Sequence, residues 1–135
     1  MSEMIRCRFW LVGVIALTAG CGKINVEKTT SLEAGEFTAF SVDPPRYEQK
    51  VSIAVTSSGA PIDAYVVLEG DQNAALKIAE DALRSSKPFL GALDGKQQIT
   101  EATLHATIPA KKGFSVLLLN GGRNKADVKI RITSR

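Results

Sequence analysis

Between residues 51 and 56 the side chains alternate without a break, Val51, Ile53 and Val55 against Ser52, Ala54 and Thr56. A repeat of two puts successive side chains on opposite faces of an extended strand, so this segment can bury its apolar half only as part of a sheet. The rhythm returns at Ala102, Leu104, Ala106 and Ile108 against Thr103, His105 and Thr107. It returns again at Val128, Ile130 and Ile132 against Lys129, Arg131 and Thr133. Ile62 to Glu69 and Phe114 to Leu119 are apolar on both sides, as expected of strands covered on both faces. Such a chain is mainly β.

The segments between these strands carry turn chemistry. Ile24 and Val26 alternate with Asn25 and Glu27 and predict a first strand, followed by a turn at Ala34-Gly35. Phe37 to Val42 predicts a second strand, stopped by Asp43-Pro44-Pro45 because proline cannot donate to a ladder. Ser57 to Pro61 and Pro109 to Gly113 are further turns, and Asn120-Gly121-Gly122 is a hairpin signal. From Gln72 to Arg84 the period changes: Ala75, Leu76, Ala79, Ala82 and Leu83 recur at three and four, with Asp71 suited to the N-cap and Pro88 soon after the end. One short helix is expected there, packed across the sheets. Lys87 to Leu90 is expected to form a brief edge strand before a turn at Asp94-Gly95. About eight short strands with one inserted helix predict an antiparallel β-sandwich or jelly roll over residues 31–135, with residues 21–30 as tether and first strand.

The longest apolar run lies outside that domain. Arg6 and Arg8 precede Phe9 to Leu17, and Thr18-Ala19-Gly20 supplies small residues before Cys21. This is the layout of a secretory signal over residues 1–20, and the run is shorter than the ~20 apolar residues of a spanning helix. Leu17-Thr18-Ala19-Gly20-Cys21 resembles the lipobox of bacterial lipoproteins, with Thr18 at the place where that family most often has leucine. The resemblance implies cleavage before Cys21 and lipidation of its thiol, hence a membrane anchor. An ordinary cleaved signal would instead leave Cys21 unpaired, since the other cysteine, Cys7, lies in the leader. Gly22, where an aspartate would favour retention in the inner membrane, implies export to the outer membrane.

Without residues 1–20, 115 residues remain, with 15 Lys and Arg against 13 Asp and Glu. A net charge of +2 does not mark a nucleic-acid binder. Lys111-Lys112 and Arg123-Lys125 flank opposite ends of one strand and cannot form a single patch. Cys21 and His105 are the only cysteine and histidine of the mature chain, so no metal ligand set or Ser-His-Asp arrangement is evident and no cofactor is expected. His105 falls among threonines on a polar strand face. Asp63, Glu69 and Asp71 surround one strand and its exit as weak calcium candidates, spaced more widely than a calcium loop requires. Tyr47, beside Pro44-Pro45, is a loop aromatic; with Lys111 and Lys112 it is the candidate ligand-binding set, because sandwiches commonly bind through their ends.

The order Glu36–Val42, Pro61–Leu68 and Gly113–Asn120 resembles bacterial pre-peptidase C-terminal domains, jelly-roll modules outside the cytoplasm. Over residues 31–133 that resemblance implies a non-catalytic accessory role. The expectation is therefore a lipid-anchored envelope module that binds a partner or plays a structural part. A small envelope hydrolase, or a subunit of a larger envelope assembly, is the alternative.

Overall fold

A computed structural model describes residues 24–85, 89 and 91–134. The leader and Cys21 lie outside these residues, as does the expected edge strand at Lys87 to Leu90 apart from Phe89, which is not in a strand. The described residues form eight strands and one helix: β1 (Asn25–Leu32), β2 (Phe37–Val42), β3 (Gln49–Ser58), β4 (Ile62–Val67), α1 (Gln72–Arg84), β5 (Asp94–Ile99), β6 (Glu101–Ile108), β7 (Phe114–Leu119) and β8 (Ala126–Ser134). They make two four-stranded antiparallel sheets, in the orders β1-β8-β3-β6 and β2-β7-β4-β5. Every connection crosses from one sheet to the other except β4 to β5, and α1 lies inside that one. This is jelly-roll connectivity. β1 belongs to its sheet along its whole length, paired with β8 from Asn25 to Leu32.

Alternation decides what the core contains. Val51, Ile53 and Val55 of β3, Leu104 and Ile108 of β6, and Val128, Ile130 and Ile132 of β8 line the inner face of the first sheet. Ile62, Ala64 and Val66 of β4 and Phe114, Val116 and Leu118 of β7 meet them from the second. The two segments apolar on both sides have the other face covered by α1. Its Ala75 and Ala79 are fully buried against Ala39, Tyr65, Val67, Leu117 and Leu119. Two alanines allow the helix backbone to lie close to the sheet. Asp71 accepts from the Ala74 N–H at 2.9 Å as N-cap, and Gln72 Nε2 donates to the Ala39 carbonyl at 2.8 Å. The helix covers only the second sheet, leaving the outer face of the first open.

Two expectations need correction. Asp94-Gly95 does not turn; it begins β5, which sequence periodicity cannot reveal because Asp94, Gly95, Lys96, Gln97 and Gln98 contain no apolar residue. β5 is held by specific contacts instead. Gly95 stands opposite Tyr65, where an added Cβ would come within 2.3 Å of the ring. Gln97 Nε2 reaches the Tyr65 hydroxyl at 3.0 Å, and Asp63 accepts from the Gln98 N–H at 2.8 Å across a bulge where Gln98 has φ +53°.

The second correction concerns Asn120-Gly121-Gly122. It is not a hairpin turn, since β7 and β8 belong to different sheets. The chain arches between layers, and Asn120 is fully buried at the bend. Its Nδ2 donates to the carbonyls of Leu32 (2.9 Å) and Asn124 (2.8 Å), and its Oδ1 accepts from Gly122 N–H (3.1 Å). Its main chain bonds Gly35 and Glu36.

Sheet edges are guarded. On edge strand β1, Lys28 shares the inward parity of Val26 and Leu32, and burial pushes its amine below the usual lysine range. A cation there opposes strand addition, because a docking strand would have to desolvate it further. At the opposite edge, the Asp94 carboxylate accepts the outward N–H of His105 on β6 at 2.8 Å.

Candidate binding surface at one end of the sandwich

Strand directions sort the loops into two groups. Residues 43–48 (β2 to β3), 68–71 (β4 to α1) and 109–113 (β6 to β7) lie at the end where β1 begins. Residues 33–36, 59–61, 100 and 120–125 lie at the other. At the first end, here called the entry end, the chain joins the fold through Ile24: its N–H donates to Ser134 Oγ at 2.8 Å, and its carbonyl accepts from Ser134 N–H at 2.9 Å.

Two loops cross over this end. The Lys111 N–H donates to the Pro45 carbonyl at 2.8 Å, with Lys111 in the left-handed region at φ +65°. That bond brings Tyr47 and the Lys111-Lys112 pair onto one surface. The third loop approaches by a backbone-to-backbone contact: a Cβ on Gly70 would lie 2.9 Å from Gly113 Cα, so both positions exclude side chains. The buried Ser115 hydroxyl donates to the Glu69 carbonyl and, having one proton, accepts from Ser41 at 2.8 Å.

Apolar exposure is concentrated here. Tyr47 (69% exposed), Leu68 (44%) and Leu93 (43%) are the exposed large hydrophobic side chains among the described residues. All three belong to the entry end: Tyr47 in the first loop, Leu68 just past β4, and Leu93 donating its N–H to the Val66 carbonyl at 2.7 Å. Arg46, Lys50, Lys111 and Lys112 are exposed around them, as are Asp43 and Glu48. Nothing in the sequence marked Leu68 or Leu93, because each continues a strand-like apolar run.

The other candidate residues are occupied structurally. Asp63 sits near the start of β4 and pins the β5 bulge, whereas Glu69 and Asp71 follow its end; the Glu69 carboxylate takes the Asp71 N–H at 3.2 Å and Asp71 caps α1. The three do not converge, and no group of three His, Cys, Asp or Glu side chains gathers among the described residues. His105 stands exposed on the open face of the first sheet, its Nδ1 3.3 Å from Ser52 Oγ. The nearby Asp94 engages the His105 backbone rather than its ring, so no carboxylate among the described residues orients the Ser-His pair. The rest of that face is rich in hydroxyls around a shallow open depression, tied by Ser31 to Asp127 (2.6 Å) and Lys129 to Glu27 (3.2 Å). No helix among the described residues is long and apolar enough to cross a membrane.

No family model matches the chain, and no curated protein matches it either. Its fold is shared with solved structures. Among them is PliG of Aeromonas hydrophila, a periplasmic lysozyme inhibitor of g-type lysozyme, with a TM-score of 0.53 and 10% sequence identity over 88% of this chain and 93% of that one.

Proposed function

We propose that this chain is a lipid-anchored protein of the bacterial cell envelope whose jelly roll is a non-catalytic module for binding another protein. The observation that carries the reading is the fold, which follows that of a periplasmic protein inhibitor over nearly the whole length of both chains. The resemblance of residues 31–133 to pre-peptidase C-terminal modules points the same way. Cys21 supplies the anchor as a thioether after cleavage behind Gly20, and Gly22 directs the product to the outer membrane. Two acyl chains on one residue give stable membrane attachment where a single chain would be reversible.

A g-type lysozyme is the first partner to test. The mature chain, added to such an enzyme digesting peptidoglycan, is expected to slow lysis in a saturable way and to bind it in calorimetry. Absence of both discards lysozyme as the partner. For the anchor, labelled palmitate should enter the protein and be absent from Cys21→Ser; equal labelling of the variant rejects lipidation. Hydrolytic turnover by the purified chain that disappears in His105→Ala would overturn the non-catalytic reading.

A further inference from the structure

The geometry of the entry end points to a lipid bilayer as its occupant: we infer that the surface formed by Tyr47, Leu68, Leu93, Lys111 and Lys112 rests on the headgroup interface of the membrane that holds the anchor. The inference deepens the reading that Cys21 is lipidated, and rests on it.

The argument begins with chain length. Only Gly22 and Lys23 separate Cys21 from Ile24, so the two Cα atoms are at most about 11 Å apart. Ile24 is fastened to Ser134 at the entry end. A lipid on Cys21 therefore keeps this end near the bilayer, whatever the rest of the domain does. Sheet order puts the loops at a comparable distance from the anchor. β3, whose start carries the Tyr47 loop, is two strands from β1, and β6, whose end leads to Lys111, is three; at about 4.8 Å per strand these are about 10 and 14 Å.

Exposure is the second, independent observation. The exposed large apolar side chains of the described residues gather at the end nearest the anchor, while the opposite end shows none. Tyrosine suits the interface, with an apolar ring and a polar tip, and the two leucines at the β4 and β5 ends can enter the acyl boundary. Lys111 and Lys112 can place amines at phosphates while their stems cover apolar surface.

Charge decides the kind of contact. The exposed cations Arg46, Lys50, Lys111 and Lys112 are accompanied by Asp43, Glu48, Glu69 and Asp71, the last two engaged at the α1 cap. Among the described residues the end is thus nearly neutral, so apolar insertion drives the contact and a net-negative membrane is not required. Salt should weaken it little.

The test uses tryptophan as a reporter, because Trp10 lies in the leader and the mature chain has no other. The mature chain is coupled through the Cys21 thiol to a maleimide-bearing lipid in phosphatidylcholine vesicles, with or without phosphatidylglycerol, and carries Tyr47→Trp, Leu68→Trp or Arg123→Trp. Circular dichroism first confirms that each variant is folded. On attachment, emission from Tyr47→Trp and Leu68→Trp should move to shorter wavelength and be quenched by brominated acyl chains, in both lipids and in high salt. Emission from Arg123→Trp, at the opposite end, should do neither. If the vesicle-bound protein leaves Tyr47→Trp and Leu68→Trp unshifted and unquenched, the inference is wrong. It is equally wrong if those two respond only when a g-type lysozyme is added, since the occupant is then protein. Chemical coupling replaces cellular acylation, so failure here is separate from failure of palmitate labelling, which would strike the anchor reading alone.

Discussion

Replacing Asn120 by alanine tests whether the buried arch between the two sheets is a main source of stability. The side chain makes three hydrogen bonds, two donated and one accepted, in a fully buried position. Each such bond contributes about 1 kcal/mol net, and the stranded carbonyls and N–H add to the loss wherever water cannot reach them. Asn120→Ala should therefore cost about 3–4 kcal/mol, against the 5–15 kcal/mol typical of a whole domain. In urea, with a slope of about 1.5 kcal/mol/M, the midpoint should fall by about 2 M with the slope unchanged. Asn120→Asp gives a sharper test. It retains an acceptor for Gly122 but points a carboxylate at the carbonyls of Leu32 and Asn124. Its destabilisation should exceed that of alanine at neutral pH and shrink in acid, where protonation restores one donor. A midpoint for Asn120→Ala within about 0.3 M of the parent would refute the reasoning, because it corresponds to less than one hydrogen bond.

Four other outcomes follow from the packing. Ile53→Ala should destabilise by about 2–5 kcal/mol in chemical denaturation, whereas Thr107→Ala, on the open face, should change little. Gly95→Ala places a methyl against Tyr65 and should cost about 1–3 kcal/mol, with Tyr65→Ala recovering part of that loss in the double variant. Lys28 has its folded pKa depressed by burial, so between that value and 10.5 the unfolded chain binds more protons and stability should rise with pH; Lys28→Met should abolish the rise in pH-dependent melts. His105→Ala should leave both the circular dichroism spectrum and envelope function intact, and loss of function in a folded variant would count against a binding module.

Period-two alternation was enough to place β3, β6 and β8 and to choose their inward faces, because each of those strands has one wet side. It also shows that β4 and β7 are apolar on both faces; the helical period of Ala75, Leu76, Ala79, Ala82 and Leu83 gives a helix packed across the sheets, and only the structure places it on the outer face of the second sheet. β5 was illegible because its position comes from Gly95 beneath Tyr65 and from the Asp63 carboxylate, not from a buried face of its own. Asn120-Gly121-Gly122 was misread for a different reason. Turn chemistry says that a chain bends, but sheet membership depends on strands distant in sequence. The same limit applies to the surface: Tyr47 and Lys111 each read as loop residues, and only the bond from Lys111 N–H to the Pro45 carbonyl shows that their loops cross. Leu68 and Leu93 could not be seen, since exposure at a strand end has no sequence signature.

The place of β8 in its sheet governs when this protein can exist at all. Among the described residues β8, the last strand in the order, lies between β1 and β3, and β1 has no ladder partner but β8. Until residues 126–134 are available, β1 is unpaired and the inner faces of β3 and β6 lack Val128, Ile130 and Ile132. The β1 ladder must wait for β8, because pairing Asn25–Leu32 with residues 126–133 closes a loop of about a hundred residues. A domain of this topology threaded through a narrow channel from its N-terminal side would thus remain unfolded until β8 emerged. The same dependence makes β8 an all-or-none checkpoint: deletion of Ala126–Ser134 should yield degradation rather than a weakened domain.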